Sequence, residues 1–188
     1  MDGHQGLTAL IESAWEELNS PDAGRRDLCL DIVSDVLETG RLAQDDVERA
    51  VERLATVAFS GESYEVRESA LHAVCTASTH YELPYRVVEP LAAGADGFEP
   101  LLLAYVLAIL GCTHDQAALP IVERFLHHPH SEVRREASEA VTELGLGEQR
   151  LSGSVVKATA LALSGSWHCC SCHRCRRPND GGRERCPE

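Results

Sequence analysis

The chain has 188 residues, enough for one domain with a sizeable core, and is 44% hydrophobic but only 5% aromatic. Its formal charge of −13 is unevenly spread: residues 1–150 carry 27 acidic and 11 basic side chains, a formal −16, whereas residues 151–188 carry three acidic and six basic ones, a formal +3. This excludes a phosphate backbone as an expected ligand of residues 1–150, no apolar run reaches the ~20 residues of a membrane span, and the Ala- and Leu-rich apolar set argues for helix over a β-sandwich.

In chain order, Leu7, Leu10, Ile11, Ala14 and Leu18 trace one face of a first helix. Ser20-Pro21 follows, with Ser20 suited to an N-cap and Pro21 to the first helical position. Cys29, Val33, Val36 and Leu37 predict a second helix that ends near Gly40. Val47, Val51, Leu54 and Ala58 predict a third, Ser60-Gly61 a turn, and Val66, Ala70, Ala73, Val74 and Ala77 a fourth. Leu83, Val87 and Leu91 predict a shorter helix broken by Pro84 and Pro90. Beyond Gly94–Gly97 the run from Leu101 to Leu110 reads as a buried helix, with Leu103, Val106, Leu107 and Leu110 at helical spacing. Leu119, Val122, Phe125 and Leu126 come next, with Pro120 in the first turn. After Pro129, Ser131 and Glu132 place a hydroxyl and a carboxylate at a helix start, and Val133, Ala137, Ala140, Val141 and Leu144 line one face. Gly111 and Gly145 each follow a last apolar residue and are expected at C-caps with positive φ.

The fourth and last of the well-marked helices share a sentence. EVRESALHAV at 65–74 and EVRREASEAV at 132–141 both read E-V-R-x-x-A-x-x-A-V, 67 residues apart. That distance holds two units of about 33 residues, and a half-way shift lands on the apolar positions of the 101–110 run. The expected organisation is all-α: a repeat domain over residues 1–150 made of four helix pairs near 6–40, 42–79, 82–111 and 114–145. No single pair can bury its stripe alone, so the pairs must stack.

The stretch DQAALPIVERFLHHPHSEVRREASEAVTELG is similar to a HEAT repeat of the short bacterial type, and ESYEVRESALHAV resembles its second half. The resemblance is good over 115–145, fair over 43–79 and 82–111, and weak before 41. It implies a right-handed α–α superhelix whose second helices line the concave side. It also implies an arginine ladder between repeats, carried by the arginine of Val-Arg and an Asp in a turn. Arg67 and Arg134 stand at that place, but the turns SGESY and HPHS lack Asp and the third repeat has Leu101 and Leu102, so stacking is expected to rest on apolar burial. The second-helix face opposite the core reads Asp31, Asp35 and Glu38, then Glu68, His72 and Cys75, then Leu101, Tyr105 and Ala108, then Arg135, Glu139 and Thr142. Its expected partner is a protein, with a basic one fitting the acidic end and Tyr105 near the centre of contact. A second reading places Leu101 and Tyr105 in the core.

No glycine-rich phosphate loop, H-E-x-x-H or nucleophile elbow occurs, so a non-enzymatic interaction module without a cofactor is expected. One concrete version is an immunity- or antitoxin-type inhibitor of a basic effector. The resemblance also brings bilin-lyase-like or chaperone-type accessory proteins, and DNA-repair glycosylases, whose basic groove the acidic body denies. His127, His128 and His130 form a polar turn or contribute metal ligands. Residues 151–165 read as a capping helix or linker, and 166–188 as a disordered Cys/Arg-rich tail or a reading-frame artefact. A zinc site built from Cys169, Cys172, Cys175 and Cys186 is the alternative. The isolated Cys29, Cys75 and Cys112 suit buried reduced thiols, and the start MDGHQGLTAL lacks signal-peptide features, so a cytoplasmic location is expected. Sixteen arginines to one lysine suggest a GC-rich, bacterial coding sequence.

Overall fold

The structure is a computed structural model that describes residues 3–60 and 62–152. These residues form α1 (Gly3–Glu17), α2 (Ala23–Glu38), α3 (Gln44–Phe59), α4 (Tyr64–His80), α5 (Tyr85–Ala93), α6 (Pro100–Cys112), α7 (Leu119–Glu123) and α8 (Ser131–Ser152). Single 3₁₀ turns at Ala95–Gly97 and Gln116–Ala118 precede α6 and α7, and no strand occurs among the described residues. The helix boundaries fall within a few residues of the four expected pairs, except that α8 runs on to Ser152 instead of stopping near 145. Most of the expected 151–165 segment lies outside the described residues.

The pairs are laid side by side in two layers. In one layer α2 packs on α4, α4 on α6 and α6 on α8; in the other α3 packs on α5, and α5 meets the turn that leads into α7. Within each pair the partners also touch: α1 with α2, α3 with α4, α5 with α6 and α7 with α8. The core runs unbroken from Ile11 through Leu54 and Leu107 to Leu144. It is one cluster because each helix shows apolar groups to its partner and to the next pair. The helix between two neighbours is the most enclosed: Leu102 to Leu107 and Ile109 to Gly111 of α6 are all buried. That explains why this segment is apolar all round, where α3 and α8 keep one polar face.

Local chemistry sets the helix starts. Asp22, not Ser20, caps α2: its Oδ1 accepts the Gly24 N–H at 2.9 Å, while Ser20 Oγ accepts the Asp22 N–H at 3.2 Å. The expected Ser20 cap and Pro21 first position therefore shift two residues along the chain, since a carboxylate reaching an N–H of the first turn is worth more at the positive helix end than a hydroxyl. Asp45 and Asp46 occupy the first turn of α3, and Pro100 opens α6, where its missing N–H costs nothing. Gly40 follows α2 with φ +64°, the left-handed conformation expected near that helix end.

The two other glycines expected at C-caps are elsewhere. Gly111 lies inside α6 and Gly145 inside α8, and neither has positive φ. A Cβ at Gly111 would lie 2.9 Å from Ala140 Cα and 3.0 Å from Ala140 Cβ, whereas one at Gly145 would meet nothing within 4 Å. Gly111 is thus a point of helix–helix contact, where α6 and α8 approach almost backbone to backbone.

Arginine–glutamate contacts do link the first three pairs, contrary to expectation, with Glu in the place expected of Asp. Arg26, four residues past the cap of α2, places Nη2 2.8 Å from Glu62 Oε2 in the turn before α4. Its Nη1 donates to the Ser20 carbonyl at 2.6 Å. Arg67, four residues past Ser63 at the cap of α4, repeats the pattern one pair on. Nη1 donates to both Glu99 carboxylate oxygens, at 3.2 and 3.1 Å, in the turn before α6. Nε donates to the Ala58 carbonyl at 2.9 Å, and the guanidinium carbon lies 5.6 Å from the Phe98 ring centroid. In α6 the same place is taken by Leu103, so the ladder stops. Arg134 of α8 turns back on its own loop and donates to the His128 and Pro129 carbonyls, both at 2.8 Å.

Glu99 is more than half exposed, so its ion pair with Arg67 is screened and contributes little by itself. The Ala58 carbonyl and the contact with Phe98 matter more. Arg67→Met is expected to lower the unfolding free energy by about 2 kcal/mol, the scale of a stranded carbonyl plus lost packing. Arg67→Lys is expected to recover less than half of that, because a point ammonium cannot donate in two fixed directions. Urea unfolding reads both; a change within about 0.5 kcal/mol for Arg67→Met would mean that the ladder is ornamental.

Candidate functional site: the second-helix face

The residues expected to form one surface are drawn from α2, α4, α6 and α8, which do lie in succession. Asp35 and Glu38 of α2 and Glu139 of α8 are exposed, and Asp31, Glu68, His72, Leu101 and Arg135 are half-buried. Ala108 is half-buried and Thr142 exposed. Two positions of that set are not on the surface. Tyr105 is 1% exposed and Cys75 2% exposed, and Cys75 Sγ lies 3.9 Å from the Tyr105 carbonyl oxygen. The expected aromatic centre of contact is a core side chain. At ~100° per residue Tyr105 lies about 120° round α6 from Gly111, so it turns toward the α4 flank, where Cys75 sits, and not toward the α6–α8 contact.

The electrostatics of the layer follow from the same packing. Asp27 and Ser69 hydrogen bond across the α2–α4 contact, and Ser34 and Thr76 oxygens sit 3.1 Å apart one to two turns further on. These small polar pairs bring the helices together while leaving Asp31, Asp35 and Glu38 along the outer side of α2. On α8 the only arginine of the expected face is engaged by its own helix. Arg135 Nη1 donates to Glu139 Oε1 at 2.6 Å, Nη2 donates to Glu132 Oε1 at 2.6 Å, and Nη2 also pairs with Glu136. Hydrogen bonding from Glu132 and then Glu139 holds the guanidinium above its already high range against the opposing effect of burial. Glu136 is 2% exposed, a carboxylate in the α8 interior that Arg135 neutralises. The result is an expected face whose one arginine is internally engaged and whose other charged groups are carboxylates. Glu132 and Glu136 are not among the residues expected from the sequence; their i, i+3 and i+1 relation to Arg135 is the signal that points to them.

The described cysteines, Cys29, Cys75 and Cys112, form no disulfide. Burial, with Glu17 nearby, pushes the Cys29 thiol up to about 11, away from a reactive thiolate. His127, His128 and His130 do not converge. His128 Nδ1 accepts the His130 N–H at 3.2 Å and its ring centroid lies 6.2 Å from that of Phe125, a loop-bracing role. No cluster of three or more His, Cys, Asp or Glu side chains suited to a metal occurs among the described residues. Cys169, Cys172, Cys175 and Cys186 lie outside the described residues.

The first-helix layer has relief of its own. An open cleft of about 390 Å³ separates α1 from α3, floored by Ile11, Trp15 and Ala50 and rimmed by Glu12, Asp46 and Arg53. Thr8 Oγ1 donates to Asp46 Oδ2 at 3.1 Å across it, and Arg53 caps the Trp15 ring at 4.7 Å. A second groove of about 430 Å³ lies between α3 and α5 beside Phe59 and Pro90. No helix among the described residues is long and apolar enough to cross a membrane.

No family model matches the chain, and no curated protein matches it. Among solved structures it is similar to the crystal structure of an engineered protein from the Northeast Structural Genomics Consortium, with a TM-score of 0.53 and 15% identity. The match covers 76% of this chain and 64% of that one, so the chain spans less than two thirds of its length. At this identity the likeness speaks for the all-helical fold alone.

Proposed function

We propose that this chain is a non-enzymatic protein-binding module, a right-handed superhelix of HEAT-like pairs whose second-helix face takes a basic segment of a partner protein. One observation supports the reading above others: Asp31, Asp35, Glu38, Glu68 and Glu139 stand on α2, α4 and α8 of one layer, while Arg135 on the same face is held by three carboxylates of its own helix. A face of this kind presents a mostly negative field, which speeds encounter with a basic chain and sets its register. The absence of Tyr105 from the surface moves the expected contact away from an aromatic anchor and toward charge.

The test is binding of a labelled Arg/Lys-rich peptide to the full chain. Affinity is expected to fall as salt rises, and the triple substitution Asp35→Lys, Glu38→Lys, Glu139→Lys is expected to weaken it by about tenfold or more. The control reverses Glu12 and Glu52 on the first-helix layer. If that control weakens binding as much as the triple substitution, or if salt leaves the affinity unchanged, the second-helix face is not the site.

A further inference from the structure

We propose that the chain pairs with a second copy of itself through the free end of the α1–α2 pair, with the two α2 helices antiparallel. Three of the four exposed large apolar side chains among the described residues belong to this one pair: Leu10 is 52%, Leu28 60% and Ile32 39% exposed. Their direction follows from contacts on the same helices. On α1, Thr8 reaches Asp46 and Trp15 lies beneath Arg53, which fixes the side turned to α3. Leu10, about 200° round from Thr8 and 140° from Trp15 at ~100° per residue, looks the other way. On α2, Asp27 meets Ser69 and Ser34 meets Thr76, which fixes the side turned to α4. Leu28 and Ile32 lie at least about 100° from both at that same pitch. All three therefore face the side where α3 and α4 are not. Inner pairs have that side covered by the pair before them.

The occupant is chosen by the charges flanking the apolar spots. Along the outward line of α2 run Arg25, Leu28, Ile32 and Asp35, at steps of three, four and three. This order is self-complementary. When a second α2 is laid antiparallel about a two-fold axis level with Leu30, Leu28 meets Ile32 of the second copy and Ile32 meets its Leu28. Arg25 then meets Asp35 of the second copy, and Asp35 meets its Arg25. Opposite charges fall together at both ends, and apolar groups fall together in the middle, as an isologous interface requires. Both charged side chains are available for this. Asp35 is exposed, and Arg25, whose side chain is 65% exposed, makes only a loose 3.7 Å contact with Glu17. A partner of uniform charge would match one end of the line and clash with the other. Repulsion between two acidic bodies keeps the pairing weak at low salt.

Sedimentation of the full-length chain, with reductant present and over a wide concentration range, is expected to show a reversible dimer. Leu28→Glu or Ile32→Glu is expected to raise its dissociation constant by about tenfold or more. Arg25→Asp and Asp35→Arg are each expected to weaken it, because each sets like charges opposite one another. The double variant Arg25→Asp, Asp35→Arg is expected to restore it. Circular dichroism shows that these surface variants keep their helices. A monomer at every concentration overturns the proposal, as does a dimer that the apolar substitutions leave unchanged or a double variant no tighter than the single ones.

Discussion

Gly111→Ala is expected to destabilise the protein, and Gly145→Ala to stabilise it. Both glycines sit inside helices, so replacing either with Ala gains helix propensity, about 1 kcal/mol from a narrower unfolded ensemble and a better-covered backbone. What differs is the space. The new Cβ at position 145 would meet nothing within 4 Å, and the gain stands. At position 111 it would lie 2.9 Å from the Ala140 Cα, and no rotamer change can move a main-chain atom aside. The helices α6 and α8 must part, which loosens the tightest contact in the second-helix layer. Overpacking of this kind costs about 1–3 kcal/mol, so after the gain in propensity the net for Gly111→Ala is a loss of up to about 2 kcal/mol. For Gly111→Leu, where the added volume is several times larger, the loss is about 3 kcal/mol or more. Urea unfolding with a common slope measures all three. A Gly111→Ala variant as stabilised as Gly145→Ala would mean that α6 and α8 do not meet backbone to backbone.

These glycines also show where reading from sequence stops. Helical period is a local property, and it carries through: Val66, Ala70, Ala73, Val74 and Ala77 of α4 and Val133, Ala137, Ala140 and Leu144 of α8 are all buried. The order of the pairs follows from it, because stripes that must be covered leave few ways to stack. A glycine after a run of apolar residues has two physical uses, a left-handed cap or a close approach, and the choice depends on how far away the next helix lies. That distance is set by residues some 30 positions on, such as Ala140. The ladder escapes the sequence for a related reason. Arg67 has its acid in Glu99, 32 residues later, a Glu where Asp is expected. Leu10 marks the opposite failure: it fits the apolar pattern of α1 yet stays half exposed, because no helix among the described residues covers that side.

Tyr105→Ala is expected to act on stability and not on recognition. The side chain is among the largest fully buried ones, on the helix packed between α4 and α8, with Cys75 of α4 beside it. Removing it leaves a ring-sized void, and large-to-small changes of this class cost about 3–5 kcal/mol because the surroundings relax only in part. The sequence allows both readings of Tyr105, since an exposed face and a core face look the same on a helix that is apolar all round. The decision rests on whether neighbours on both flanks close over the arc, which only the packing reveals. The acidic residues behave the other way. Asp35→Lys and Glu139→Lys change exposed groups and are expected to move stability by no more than about 0.5 kcal/mol while weakening a basic ligand. Thermal or urea unfolding beside peptide binding separates the two classes. If Tyr105→Ala leaves unfolding unchanged but removes binding, the ring is at the surface after all, and recognition is aromatic as well as electrostatic.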